Sequence, residues 1–187
     1  MMTVQALRSI FQVKVTLKGI KPPVWRRLLV LSTLKLTDFH NVLQSVMGWQ
    51  DTHLHQFTVG RRHYGIPETD WPDDILNEHK YKISDLLTAE NETLVYEYDF
   101  GDGWEHQVAL EKILPFRTNI PLPQCIKGKR ACPPEDVGGP LGYQEFLRAI
   151  NDPGHTEHES MLQWFGGQFD AEDFDAVATN AVLQGCR

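Results

Sequence analysis

Cysteine is scarce in this 187-residue chain, long apolar runs are missing, and the signatures of the common enzyme classes are not found. The three cysteines, Cys125, Cys132 and Cys186, are an odd number and do not make an extracellular disulfide framework. No apolar stretch approaches the roughly 20 residues that a membrane-spanning helix needs, so no membrane partner is expected. The opening residues lack the basic, apolar and small-residue order of a secretory signal, which makes the cytoplasm the expected compartment. There is no Gly-x-Ser-x-Gly elbow, no phosphate loop ending in Lys-Ser or Lys-Thr, and no His-Glu-x-x-His helix. Standard hydrolase and nucleotide-binding classes lose weight accordingly.

What is present is enough apolar content, 41%, for one soluble domain to bury a core. The formal charge of -7 argues against a surface that coats nucleic acid as a whole. Charge is nevertheless segregated: residues 1–65 carry nine Lys and Arg against only Asp38 and Asp51. That basic third either neutralises the acidic remainder across one fold or offers Arg26, Arg27, Arg61 and Arg62 to nucleic acid.

Alternation of Phe11, Val13, Val15 and Leu17 with polar residues predicts a half-buried strand, and residues 24–31 read as a second. Thr37 is the expected cap of a helix whose apolar face is Phe39, Val42, Leu43, Val46 and Met47, stopped by Gly48. Residues 53–59 and 62–65 suggest a hairpin turned at Gly60, followed by an irregular loop over 66–80. Residues 93–100 and 104–113 form the strongest strand pair, and 143–150, 157–165 and 171–183 read as helices. The last has Asp170 as its cap and Phe174, Val177, Ala181 and Val182 as its stripe. The sum is an α+β domain over 1–187, core about 11–183. It has a largely antiparallel sheet, one N-terminal helix packed on it and a C-terminal group of helices.

A tight turn centred on Asp102 and Gly103 would put Asp99 directly opposite His106, with Trp104 beside the turn. A longer loop would shift that register. His53, His55 and Phe57 would share one strand face, where His53, His55 and His106 could hold zinc or another divalent ion. Cys132 and the loop to Gly139, with Glu135 and Asp136, would form a rigid rim, since prolines fix its entry and glycines allow a close return.

Taken together, Trp25-Arg26-Arg27, Met47-Gly48-Trp49, His53-Leu54-His55-Gln56-Phe57, the run Tyr98 to His106, Cys132 to Gly139 with Gly142-Tyr143, and Phe169-Asp170 resemble the plasmid pRiA ORF-three-like family. The resemblance spans about residues 11–183. It implies an α+β domain found on plasmids, mobile elements and chromosomes, without an established activity. Some members carry a TnpR resolvase label. A serine resolvase needs an activated N-terminal serine and a basic reader helix, whereas here Ser9 runs into a strand and the C-terminal helices bear Asp170, Glu172, Asp173 and Asp175.

The leading expectation is a non-catalytic binding or interaction module for an unidentified protein or small ligand, using His53, His55, Asp99, Asp102, Trp104, His106, Cys132, Glu135 and Asp136. Two others stand beside it: a small metal-dependent hydrolase on the histidine face, and nucleic-acid binding through the basic third.

Overall fold

The structure, a computed structural model, describes residues 8–67 and 75–185. Its frame is an eight-stranded sheet in the order β5-β4-β3-β6-β7-β1-β2-β8, antiparallel except between β4 and β5. The strands are β1 Ser9–Leu17, β2 Trp25–Leu31, β3 His55–Val59, β4 Arg62–Gly65, β5 Ile75–Asn77, β6 Thr93–Tyr98, β7 Trp104–Pro115 and β8 Gln124–Lys129. The helices are α1 Leu36–Met47, α2 Ile83–Leu86, α3 Gly139–Asn151, α4 His158–Phe165 and α5 Ala176–Gly185. No helix among the described residues is long and apolar enough to cross a membrane. The α+β architecture expected from the sequence is the observed one.

Period-two burial places α1 on one sheet face. Phe11, Val13, Val15 and Leu17 are all buried, and the alternation continues through Leu28 and Val30 on β2 and Leu94, Tyr96 and Tyr98 on β6. Register sets the rows: Phe57 pairs with Tyr96, Tyr96 with His106 and His106 with Leu17, so aromatic and aliphatic groups line up across four strands. Helix α1 covers them with Leu36, Phe39, Val42, Leu43, Val46 and Met47. It begins one residue before the expected Thr37 cap, with Lys35 at the N-cap and no side-chain cap. Its end is as expected: Gly48 adopts φ 79°, a conformation that suits a residue without Cβ.

The β6–β7 turn differs from the two-residue reading. It spans residues 99–103, with Asp99 at φ 56° outside the strand, and the ladder restarts as Tyr98 opposite Trp104. His106 therefore faces Tyr96, not Asp99. Trp104 and His106 both sit in the core, at 1% and 0% exposure. Two strands were not anticipated: β5, inside the expected 66–80 loop, and β8, inside the Pro/Gly/Cys-rich segment. Residues 68–74 of that loop, and Cys186, lie outside the described residues. Helix α5 begins at Ala176, capped by the Asp175 carboxylate accepting from the Val177 and Ala178 N–H groups, where the sequence suggested Asp170. Its expected stripe is corrected too: Val177 and Val182 are exposed and Leu183 is buried.

Two of the four arginines assigned to nucleic acid have internal partners. Arg26 is buried on the face beneath α1. Its guanidinium donates to the carbonyls of Val46, Trp25 and Lys129 and to the Cys132 sulfur, and lies 4.3 Å from the Phe174 ring centre. Arg27 makes two hydrogen bonds to the Glu111 carboxylate, at 2.6 and 2.8 Å. Arg61 and Arg62 remain exposed at the β3–β4 turn. Arg26→Ala would strand buried carbonyl oxygens and is expected to cost about 2–4 kcal/mol of stability. Arg61→Ala should change it by less than about 0.5 kcal/mol, as read from urea midpoints; equal losses would contradict this assignment.

Burial lowers the His106 pKa from 6.5 to about 4, against the weaker opposing effect of its Nδ1 contact with the Tyr96 carbonyl at 3.2 Å. The fold therefore selects the neutral ring. Because the folded pKa lies below the unfolded one, this stabilisation is complete above pH 6.5 and is lost as pH falls toward 4. Its full extent is about 3 kcal/mol. Urea midpoints measured from pH 7 to pH 4 should fall for the native protein and flatten in His106→Phe, leaving the smaller contribution of His40, whose pKa burial also lowers. An unchanged slope would contradict the assignment.

Candidate functional site

Residues 132–139, between β8 and α3, fold across the end of the sheet and are tied to two other connections. The Trp49 indole N–H donates to the Pro133 carbonyl at 3.0 Å, which fixes the start of the α1–β3 connection. Glu135 then gathers three donors: the Gln50 N–H at 3.0 Å, the Tyr98 hydroxyl at 2.5 Å and the Thr52 hydroxyl at 3.4 Å. Burial together with this carboxylate pushes the Tyr98 pKa up to about 12, so the phenol keeps its proton and donates it. On the other side, the Gly138 N–H donates to Asp102 Oδ2 at 3.1 Å. Gly139, at φ 68°, passes so close to the Asp102 carbonyl that any Cβ there would collide with it. The close return expected of these glycines is thus present as a backbone-to-backbone approach.

The three connections bring His53, Asp99 and Asp136 together. His53 Nε2 lies 3.0 Å from Asp136 Oδ1 and 3.7 Å from Asp99 Oδ2. Asp99 is positioned by its own turn, where Oδ1 accepts the Gly101 N–H at 2.9 Å and the Asp102 N–H at 3.3 Å. Oδ2 is the oxygen turned to His53. The side chains are graded from inside to outside, 12% exposed at Asp99, 31% at His53 and 69% at Asp136. One ligand atom from each lies within 4.8 Å of the others, a spacing that suits a positively charged group or a divalent ion.

The remaining sequence candidates are elsewhere. His53 belongs to the connection, and β3 begins at His55, so the two imidazoles do not share a strand face as expected. His55 is buried, with Nε2 2.9 Å from Glu78 Oε2 and its ring stacked on His40. Among the described residues the metal-sized groups are His53–Asp99–Asp136 and His40–Asp51–His55, and the proposed set of His53, His55 and His106 is not one of them. His106 packs its ring edge to face with Trp49, and Trp104 lies tilted against the same indole. Cys132 is no ligand or nucleophile of the surface group. Its sulfur sits 3.1 Å from Arg26 Nη2 and 3.4 Å from Met47 Sδ, and burial pushes its thiol up to about 11. Sequence reading missed Trp49, Tyr98, His40, Asp51 and Glu78 as participants. A polar pair, His40 and Gln44, one helical turn apart inside the apolar face of α1, was the available signal.

Asp136 also borders a recess of about 380 Å³ between the 132–139 loop, α3 and α4. Val137, Phe146, Met161 and Trp164 supply apolar walls, and Asp136 and Glu145 supply the acidic rim. Phe146 is buried under the edge of Trp164, which is itself 48% exposed. Such a volume, largely apolar with a few convergent polar groups, has the dimensions of small-ligand sites.

Comparisons with known proteins agree on the kinship of the chain. An uncharacterised protein, y4hQ, of Sinorhizobium fredii is 39% identical over 176 residues, covering 92% of this chain and 87% of the relative. The crystal structure of MM3350, a protein of unknown function from Methanosarcina mazei Go1, superposes with a TM-score of 0.84 at 40% identity, covering 92% of this chain and 98% of that one. The model of one family matches residues 9–178, across the strands, α1 and the 132–139 loop that build the site, and the chain belongs to it: the plasmid pRiA4b ORF-3-like proteins.

Proposed function

We propose that this protein is a non-catalytic binding module whose site is the acidic-rimmed recess beside His53, Asp99 and Asp136, and that its ligand carries a protonated amine or guanidinium on an apolar stem. The observation that carries the reading is the double position of Asp136, which closes the His53–Asp99 group and lines the recess. An apolar stem would lie against Val137, Met161 and Trp164 while its charge meets Asp136 and Glu145. The net charge of -7 favours approach of a cation. Holding is the chemistry these groups suit best: the Cys132 thiol is engaged by Arg26 and Met47, two of the imidazoles that sequence reading offered, His55 and His106, are buried, and what faces solvent is His53 between two carboxylates. Nucleic-acid binding draws less support, because Arg26 and Arg27 already have partners.

The same cation could arrive as a free amine or as a Lys or Arg side chain of a protein segment, and both can be titrated into ¹⁵N-labelled protein. Phenylethylamine, a short peptide pairing arginine with an aromatic residue, and a size-matched phenylpropanoate serve as probes. The cations should move the Trp164 indole and the Val137 and Gly142 amides, the anion should not, and the tighter of the two cations identifies the source. Trp164→Ala should weaken binding tenfold or more, about 1.4 kcal/mol. Asp136→Asn should weaken it a few-fold, since an exposed charge pair is worth only about 0.2–1 kcal/mol. Equal binding of the anion, or shifts confined to other surfaces, would contradict the reading.

A further inference from the structure

At the end of the sheet three connections each bring one donor atom to a common point: His53 Nε2 from the stretch between α1 and β3, Asp99 Oδ2 from the β6–β7 turn, and Asp136 Oδ1 from the 132–139 loop. We propose that these three side chains form a site for one divalent transition-metal cation of the zinc or manganese kind, which staples the three connections together. The site borders the recess through Asp136 but does not depend on the ligand assigned to it.

Geometry is the first argument. Bonds of about 2.0–2.2 Å place neighbouring donors of a tetrahedral or octahedral ion about 3.0–3.5 Å apart. Here Nε2 of His53 is 3.0 Å from the Asp136 oxygen and 3.7 Å from the Asp99 oxygen, and the three donors all lie within 4.8 Å of one another. Only one imidazole takes part, and its contact with Asp136 has hydrogen-bond geometry, so the in-plane direction of Nε2 is toward the carboxylates. With the ring proton on Nδ1, the Nε2 lone pair meets an ion placed among the three. One nitrogen and two carboxylate oxygens suit a transition-metal dication better than calcium, which takes about six to eight oxygens.

Asp99 carries the second argument. The residue as a whole is 8% exposed, and its two carboxylate oxygens have different surroundings. Oδ1 accepts the Gly101 and Asp102 N–H groups, which fixes the side chain. Oδ2 accepts no hydrogen bond among the described residues and faces His53 from beyond hydrogen-bond distance. A cation between this oxygen, the imidazole and Asp136 gives it a partner. The outer contacts that hold metal ligands in place are present as well: the two turn donors on Asp99, Tyr98 set edge to face with the His53 ring at 5.8 Å, and the Glu135 contacts that hold the loop carrying Asp136. Three protein donors leave coordination positions for water, and the exposed side of Asp136 is the way in.

Tag-free ¹⁵N-labelled protein is titrated with zinc and, separately, with manganese. Zinc should saturate at one equivalent by calorimetry and raise the melting temperature. In ¹⁵N-histidine spectra it should shift the ring nitrogens of His53 and leave those of His40 and His55 in place, and manganese should broaden the amides of His53, Asp99 and Asp136 first. Asp99→Asn keeps the turn acceptor and a residue type that tolerates φ 56°, and His53→Gln keeps a polar side chain of similar reach. Each should weaken zinc binding at least tenfold. Should a variant fail to fold, the spectra of the native protein decide. Neither metal bound at millimolar concentration, shifts at His40 and His55 in place of His53, or an affinity unchanged by Asp99→Asn would each overturn the proposal. The probe is the bare metal and the reporter is His53, so the outcome is read separately from the amine titration followed at Trp164.

Discussion

The clasp between the 132–139 loop and the end of the sheet is the constraint on which the candidate site depends. One carboxylate, Glu135, accepts from the α1–β3 connection through Gln50 and from β6 through Tyr98. A charged acceptor that satisfies several donors is stronger than the same contacts made singly. The Pro133 carbonyl takes the indole N–H of Trp49, and that ring in turn packs against Tyr98, Trp104 and His106. The loop is thereby continuous with the core, and Asp136, its next residue, is delivered to His53 as a consequence. Gly139 completes the closure because its neighbour is a backbone carbonyl that cannot move aside.

Environment has divided the histidines into distinct chemical roles. His106, fully buried beside aromatic rings, is held neutral and behaves as a core side chain in contact with the backbone of β6 and β7. His55 is equally enclosed but meets a buried glutamate and a second imidazole. His53, two residues before the start of β3, reaches the surface between two aspartates. The same side chain is thus a packing element, a hydrogen-bond partner of a buried carboxylate and a surface group between two aspartates, according to solvent access and the nearest carboxylate.

Local pattern made most of the fold legible. Alternation from Phe11 to Leu17 located β1, three-and-four spacing located α1, and the Asp-Gly turn located the β6–β7 hairpin. The register of that hairpin was not legible, because Asp99 folds back on its own carboxylate and leaves the strand, an Asx-type turn that competes with the two-residue alternative. Strands β5 and β8 are short, interrupted segments that acquire strand form by pairing with a neighbour, which local composition does not encode. The motif containing Cys132 to Gly139 was recognisable, and so was the family, while the partners of each motif residue were not. Arg26 is the clearest case: its charge suggested phosphate, and only the tertiary arrangement reveals three carbonyls and a phenyl ring around it.

Amide hydrogen exchange in Gly139→Ala tests the clasp most directly. If this loop holds the α1–β3 connection and the β6–β7 turn in place, the added methyl group should accelerate exchange together across residues 49–54, 99–103 and 132–139, while the central strands β1 and β7 stay protected. Acceleration limited to the residues flanking position 139, with the other two connections as protected as in the native chain, would contradict the account.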